Sequence, residues 1–178
     1  YHVSLGPTTC LALQRTTASS AFASANLWNN TAPTSSVVSL GAHGGDTNNS
    51  TSDGKIMMYA WHSVPGYSSI GSYTGGSSDG AFIHTGFKPA FVIIRTKGSG
   101  SWALVDSKRV GDDGEEKFLL AQSDVDQQDG TGWNGLDFLS NGFKIKGTTS
   151  SFENKAEQYI YMAFADSSVL GELRDKAK

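Results

Sequence analysis

Four carboxylates, Asp112, Asp113, Glu115 and Glu116, crowd into the stretch DSKRVGDDGEEK (106–117) between basic residues. Two such groups facing each other at about 5 to 9 Å would suit acid–base cleavage of a glycosidic bond. Consecutive acids in a glycine-containing loop point in different directions and stay hydrated, so this spacing reads as a solvated loop. DVDQQDG (124–130) is close to a calcium loop, but its oxygens fall one position out of step and no bidentate Glu follows. The four histidines, His2, His43, His62 and His84, have no metal-ligand spacing and no cysteine partner. Cys10 is the single cysteine, so no internal disulfide is possible. Its apolar run, Cys10-Leu11-Ala12-Leu13, suits a buried and inert thiol. No Ser lies in a Gly-x-Ser-x-Gly elbow on a strand-to-helix turn. YTGGSSDG (73–80) lacks the Lys and the following helix of a phosphate loop and reads as a hairpin loop. The sequence therefore nominates no catalytic residue, no metal ligand and no cofactor.

Two tryptophan corners carry a different chemistry. Trp28-Asn29-Asn30 and Trp133-Asn134-Gly135 each set an indole beside amide side chains. Such a ring can stack on a sugar face while the amides bond its hydroxyls. Trp28, Asn29, Trp133 and Asn134 are thus the candidate glycan-binding residues. The competing role is mechanical, each Trp plugging the open end of its own sandwich. Asn-x-Ser/Thr patterns at Asn29, Asn48 and Asn49 would matter only in a eukaryotic secretory route.

Such residues need a scaffold, and the composition points to strands. Charged residues make up 17% and there are 21 glycines, a profile of strands and turns rather than helices. At 178 residues with 38% hydrophobic content, the chain can build a packed core without staples. A net charge of −3 offers no basic footprint for nucleic acid. No apolar run approaches the roughly 18 residues that a spanning helix needs. Residues 1–5 lack the pattern of a signal peptide, and without an initiator Met they suggest a processed or incomplete chain.

Strand-like runs recur at Thr9–Leu13, Ser36–Leu40, Lys55–Trp61, Ile70–Tyr73, Ala81–Thr85, Ala90–Arg95, Trp102–Asp106, Lys117–Ala121, Gly142–Lys146 and Gln158–Phe164. Clusters of Gly, Asn, Asp, Ser and Thr separate them, at the spacing of an antiparallel β-sandwich or barrel. Phe91-Val92-Ile93-Ile94 is apolar on both faces and belongs in the middle of a sheet. In GLDFLSNGFKIKG (135–147), Leu136, Phe138, Phe143 and Ile145 alternate around Ser140-Asn141-Gly142, as in a hairpin. Only Ser168–Lys178 is helix-prone.

The chain also repeats itself. Cys10-Leu11-Ala12-Leu13-Gln14 resembles Phe118-Leu119-Leu120-Ala121-Gln122, and Trp28-Asn29 matches Trp133-Asn134. Ser35, Val38 and Leu40 match Ser140, Phe143 and Ile145; Asn49 falls on Asn154, and Tyr59-Ala60-Trp61 falls near Tyr161–Phe164. The offset stays at about 105 residues, which argues for duplication. The expected organisation is the back part of a first β repeat at 1–65 with its front strands missing, a complete second β-sandwich repeat at 66–167, and a charged, helix-prone tail at 168–178. Residues 1–65 should not close alone, because their open edges need a neighbour.

PTSSVVSLG (33–41), YAWHSVPGYSSIGSYTG (59–75), TGFKPAFVIIR (85–95), LDFLSNGFKIKG (136–147) and YIYMAFAD (159–166) resemble a repeat domain of virion structural proteins. That family occurs in tailed bacteriophages, particularly those of marine bacteria, often in tail-fibre-like chains. The resemblance covers about residues 1–166 and implies an all-β, jelly-roll-like sandwich built from tandem repeats. It further implies a non-enzymatic part of a virion, with other copies of itself or other virion proteins as partners. The alternative is a glycan-binding adhesin module that reads a host cell surface. Neither requires nucleic acid or membrane insertion.

Overall fold

A computed structural model describes residues 1–13, 16, 25–41, 57–110, 116–121, 135–146 and 154–166. Its regular elements are one helical turn, α1 (Ala25–Trp28), and eight strands. These are β1 (Ser68–Thr74), β2 (Phe82–His84), β3 (Pro89–Thr96), β4 (Trp102–Val110), β5 (Glu116–Leu120), β6 (Leu136–Leu139), β7 (Gly142–Ile145) and β8 (Gln158–Ala165). One sheet runs β1-β8-β3-β4-β5 and the other β2-β7-β6, with antiparallel neighbours throughout. The chain is an all-β, sandwich-like fold of two antiparallel sheets.

Alternation along the strands places the core between the sheets. Val92 and Ile94 on β3, Ala103 and Val105 on β4, and Tyr159, Tyr161 and Ala163 on β8 come from the larger sheet. Ile83 on β2, Leu136 on β6, and Phe143 and Ile145 on β7 come from the smaller. The expected hairpin is present: Leu136 pairs with Ile145 and Phe138 with Phe143, across a turn at Ser140-Asn141. Leu136, Phe143 and Ile145 are fully buried, and Phe138 packs partly buried against them. Gly142 begins β7 because β2 passes close by; a Cβ there would run into the carbonyl oxygen of Ile83.

β3 lies in the middle of its sheet, as its unbroken apolar run requires. The same alternation turns Ile93, Trp102, Ile160 and Met162 to the outer face, which is therefore apolar too. Tyr1, His2, Leu5 and Leu11 cover it, leaving a cavity of about 80 Å³ beneath them. Two bonds fasten this cover to the β3–β4 turn region. The indole Nε1 of Trp102 donates to the Ala12 carbonyl at 3.0 Å, and the Gly100 N–H donates to the Thr16 carbonyl at 2.9 Å.

Three expected strands are absent. Thr9–Leu13, Ser36–Leu40 and the described part of Lys55–Trp61 are extended or turned, without ladders. Their apolar patterns suit strands, but a strand exists only where a neighbour satisfies its N–H and C=O groups. Thr9–Leu13 instead serves the cover over β3 and β8, with Cys10 buried. At Thr34, the side-chain oxygen accepts the Val37 N–H at 3.0 Å and turns the chain locally. The tail 168–178 lies outside the described residues.

Candidate functional site

The first tryptophan corner can be followed atom by atom. Leu27 at the end of α1 is buried, and its carbonyl accepts the Gly41 N–H at 2.9 Å. Asn29 and Asn30 follow with φ of 49° and 51°, the left-handed region that Asn tolerates better than most residues. The Trp28 carbonyl accepts the Thr31 N–H at 2.9 Å, which closes the turn. Trp28 is half-buried and meets the ring of Tyr1 edge-on at 6.0 Å. Its Nε1 is buried without a hydrogen-bond partner among the described residues. The indole is therefore held by packing, while the Asn29 and Asn30 side chains stand exposed beside it. Trp133 and Asn134 lie outside the described residues.

The cavity under the cover is the second place with chemistry. His2 is buried there; its Nδ1 accepts the Ser4 N–H at 3.1 Å, while Nε2 has no hydrogen-bond partner among the described residues. Burial holds the imidazole below its usual pKa. Close by, Arg95 is buried on β3, donates to the Gly100 carbonyl and faces the Trp102 ring at 5.5 Å. Burial lowers its pKa from the ordinary guanidinium value, which still leaves it charged near neutrality.

Asp106 pairs with Arg109 at 2.9 Å, an ion pair of neighbours on β4. Asp112, Asp113 and Glu115 lie outside the described residues, as does the loop 124–130. Among the described residues, no three of His, Cys, Asp and Glu come together as a metal site would require. No helix there is long and apolar enough to cross a membrane.

One feature escaped sequence reasoning. Met57, Met58, Tyr59 and Trp61 are all exposed, and Tyr59 and Trp61 stack at 5.9 Å. The signal was available: no Asp, Glu, Lys or Arg occurs between Lys55 and Asp79.

These features belong to an all-β, sandwich-like domain whose candidate surfaces are aromatic. Residues 1–168 match the family described as "Domain of unknown function (DUF7483)", and the chain belongs to that family. No curated protein and no solved structure matches the chain significantly.

Proposed function

We propose that the chain is a non-enzymatic structural module of a phage virion, part of a tail fibre or another surface appendage or decoration. The observation that carries this reading is where the fold uses its buried polar groups. Asn154 bonds Gly76 and Ser77, Arg95 bonds the turn at Gly100, and Glu157 accepts from Thr96 at 2.5 Å. Arg95 and Thr96 tie a loop to strand β3, and Asn154 joins the β1–β2 loop to the turn before β8. The motifs that resemble the virion repeat also lie largely on framework strands, among them β3, β6, β7 and β8. An antibody raised against the chain tests the proposal on purified virus particles from a culture carrying its gene. Decoration of a tail or surface appendage supports it; a chain confined to the soluble lysate, with clean particles, overturns it. Polysaccharide turnover abolished by Asp112→Asn or Glu115→Gln would overturn the non-enzymatic part.

The exposed amides of Asn29 and Asn30 beside Trp28 favour a second reading, a glycan-binding adhesin module. A glycan array separates the two. Binding that disappears in Asn29→Ala supports the adhesin, and a blank array favours the structural module.

A further inference from the structure

Residues 57–61, Met-Met-Tyr-Ala-Trp, lie outside both sheets with every residue exposed; Met57, Tyr59 and Trp61 are 76%, 70% and 56% accessible. They make no hydrogen bond among the described residues. Tyr59 and Trp61 stack, so these alternate side chains share a face, as in a strand. Peptide groups and large apolar side chains are thus presented together, which is what an unpaired sheet edge offers.

The chain's own sheet does not take this segment. Odd-numbered residues of β1 bond β8, as the flanking bonds from Ala165 N to Tyr67 O and Gly75 N to Glu157 O show, so even-numbered ones face the open edge. At that edge Ser68 is bridged to Val64, and the Ile70 N–H is capped by the Ser63 Oγ at 2.9 Å. A side chain thereby stands where the next backbone rung would form, and the ladder stops before residue 62. The internal repeat says what kind of strand is left over. Tyr59-Ala60-Trp61 corresponds to the stretch of β8 that is paired on both edges, with β1 and β3.

We infer that residues 57–61 form a pairing strand through which two copies of this chain join, antiparallel and about a two-fold axis. Charge selects a second copy as the occupant. Edge strands ordinarily carry lysines or other charges that repel an identical strand, and residues 56–78 carry none. The same neutrality gives a charged foreign peptide nothing to read. A two-fold axis near Tyr59 sets Met57 against the partner copy's equivalent of Trp61, apolar against apolar, and satisfies both backbones at once. This interface does not depend on the virion proposal: it is measured on the purified chain, whereas that proposal is measured on particles.

Sedimentation equilibrium of the 178-residue chain should show a concentration-dependent dimer. Ala60→Pro removes a backbone donor and Trp61→Asp adds a repelling charge. Each should raise the dimer Kd by about 30-fold or more, as for an interface hot spot, with circular dichroism and melting unchanged because both positions are exposed. Cα atoms facing each other across an antiparallel pair sit about 4.5 to 5.5 Å apart, within disulfide reach. Met58→Cys, Tyr59→Cys and Ala60→Cys, tested singly under mild oxidation, should therefore include at least one that links two chains. The cysteine series also decides the matter if either of the other variants unfolds. A chain that stays monomeric, a dimer indifferent to both substitutions, or a dimer linked by none of the three cysteines overturns the inference. So does a link from Ala60→Cys only to Ser72→Cys, which would continue the Val64–Ser68 register and place the strand on the β1 edge.

Discussion

Phe143 on β7 meets Tyr161 on β8 edge-on, ring centroids 5.5 Å apart and planes at 76°, and the contact bridges the two sheets. The Tyr161 hydroxyl lies 3.1 Å from the Ser69 Oγ, and its ring packs so closely over Gly71 that an added Cβ would sit 3.1 Å from the ring carbons. One aromatic pair therefore links β7, β8 and β1. Edge-to-face rings add about 0.5 to 1.5 kcal/mol beyond their buried area.

Phe143→Ala should cost about 3 to 5 kcal/mol, because it removes a fully buried ring and leaves a cavity between the sheets. Urea denaturation measures it. A loss below about 1 kcal/mol would mean that the sheets do not depend on this contact.

Asn154 is fully buried, its Oδ1 accepting the Gly76 N–H at 3.1 Å and its Nδ2 donating to the Ser77 carbonyl at 2.6 Å. These bonds pin the loop between β1 and β2 to the approach to β8. Asn154→Leu has similar bulk but no polar atoms, so it orphans the Ser77 carbonyl at about 1 to 3 kcal/mol, while the Gly76 N–H keeps its 2.8 Å bond to the carbonyl of residue 154. Urea denaturation should show that loss. An unchanged urea midpoint would contradict the pinning role.

The framework was legible where a single strand carried its own instructions. The unbroken apolar run of β3 announced a central strand, and the alternation of Leu136, Phe138, Phe143 and Ile145 announced a hairpin with a core face. The first sixty residues misled for a physical reason. Cys10-Leu11-Ala12-Leu13 has the composition of a strand, but pairing is a property of two segments. The outer face of the larger sheet needed an apolar cover more than another rung. Nor does composition tell Trp28 as sugar platform from Trp28 as packed ring; the buried Nε1 and the Tyr1 contact lie in tertiary space.

That cover is testable by removal. Without residues 1–13, Ile93, Ile160 and Met162 lose the side chains lying over them, and an exposed apolar sheet face should bind a hydrophobic dye and promote association. Trp102→Phe is the gentler version, keeping the ring while deleting the bond to Ala12. It should cost about 0.5 to 1.5 kcal/mol. A truncated chain that melts with the full one and binds no dye would show that the cover is dispensable.

His2 gives the cover a pH dependence whose sign follows from burial. In the unfolded chain its imidazole titrates near 6.5, whereas in the fold burial holds it lower. Between those two values the unfolded state binds more protons than the native state, so stability falls as pH falls through that window. Above about pH 7 the ring is neutral in both states and contributes no slope; below the folded pKa it is charged in both, and the loss levels off. His2→Gln keeps a polar side chain of similar reach but removes the titration. Urea midpoints of the two proteins should therefore run parallel above about pH 7. Below about pH 6.5 they should diverge, with the native chain weakening faster as its ring protonates. Carboxylates elsewhere affect both proteins alike, so the difference between the curves isolates His2. Curves that stay parallel down to about pH 5 would mean that this imidazole is not buried in solution.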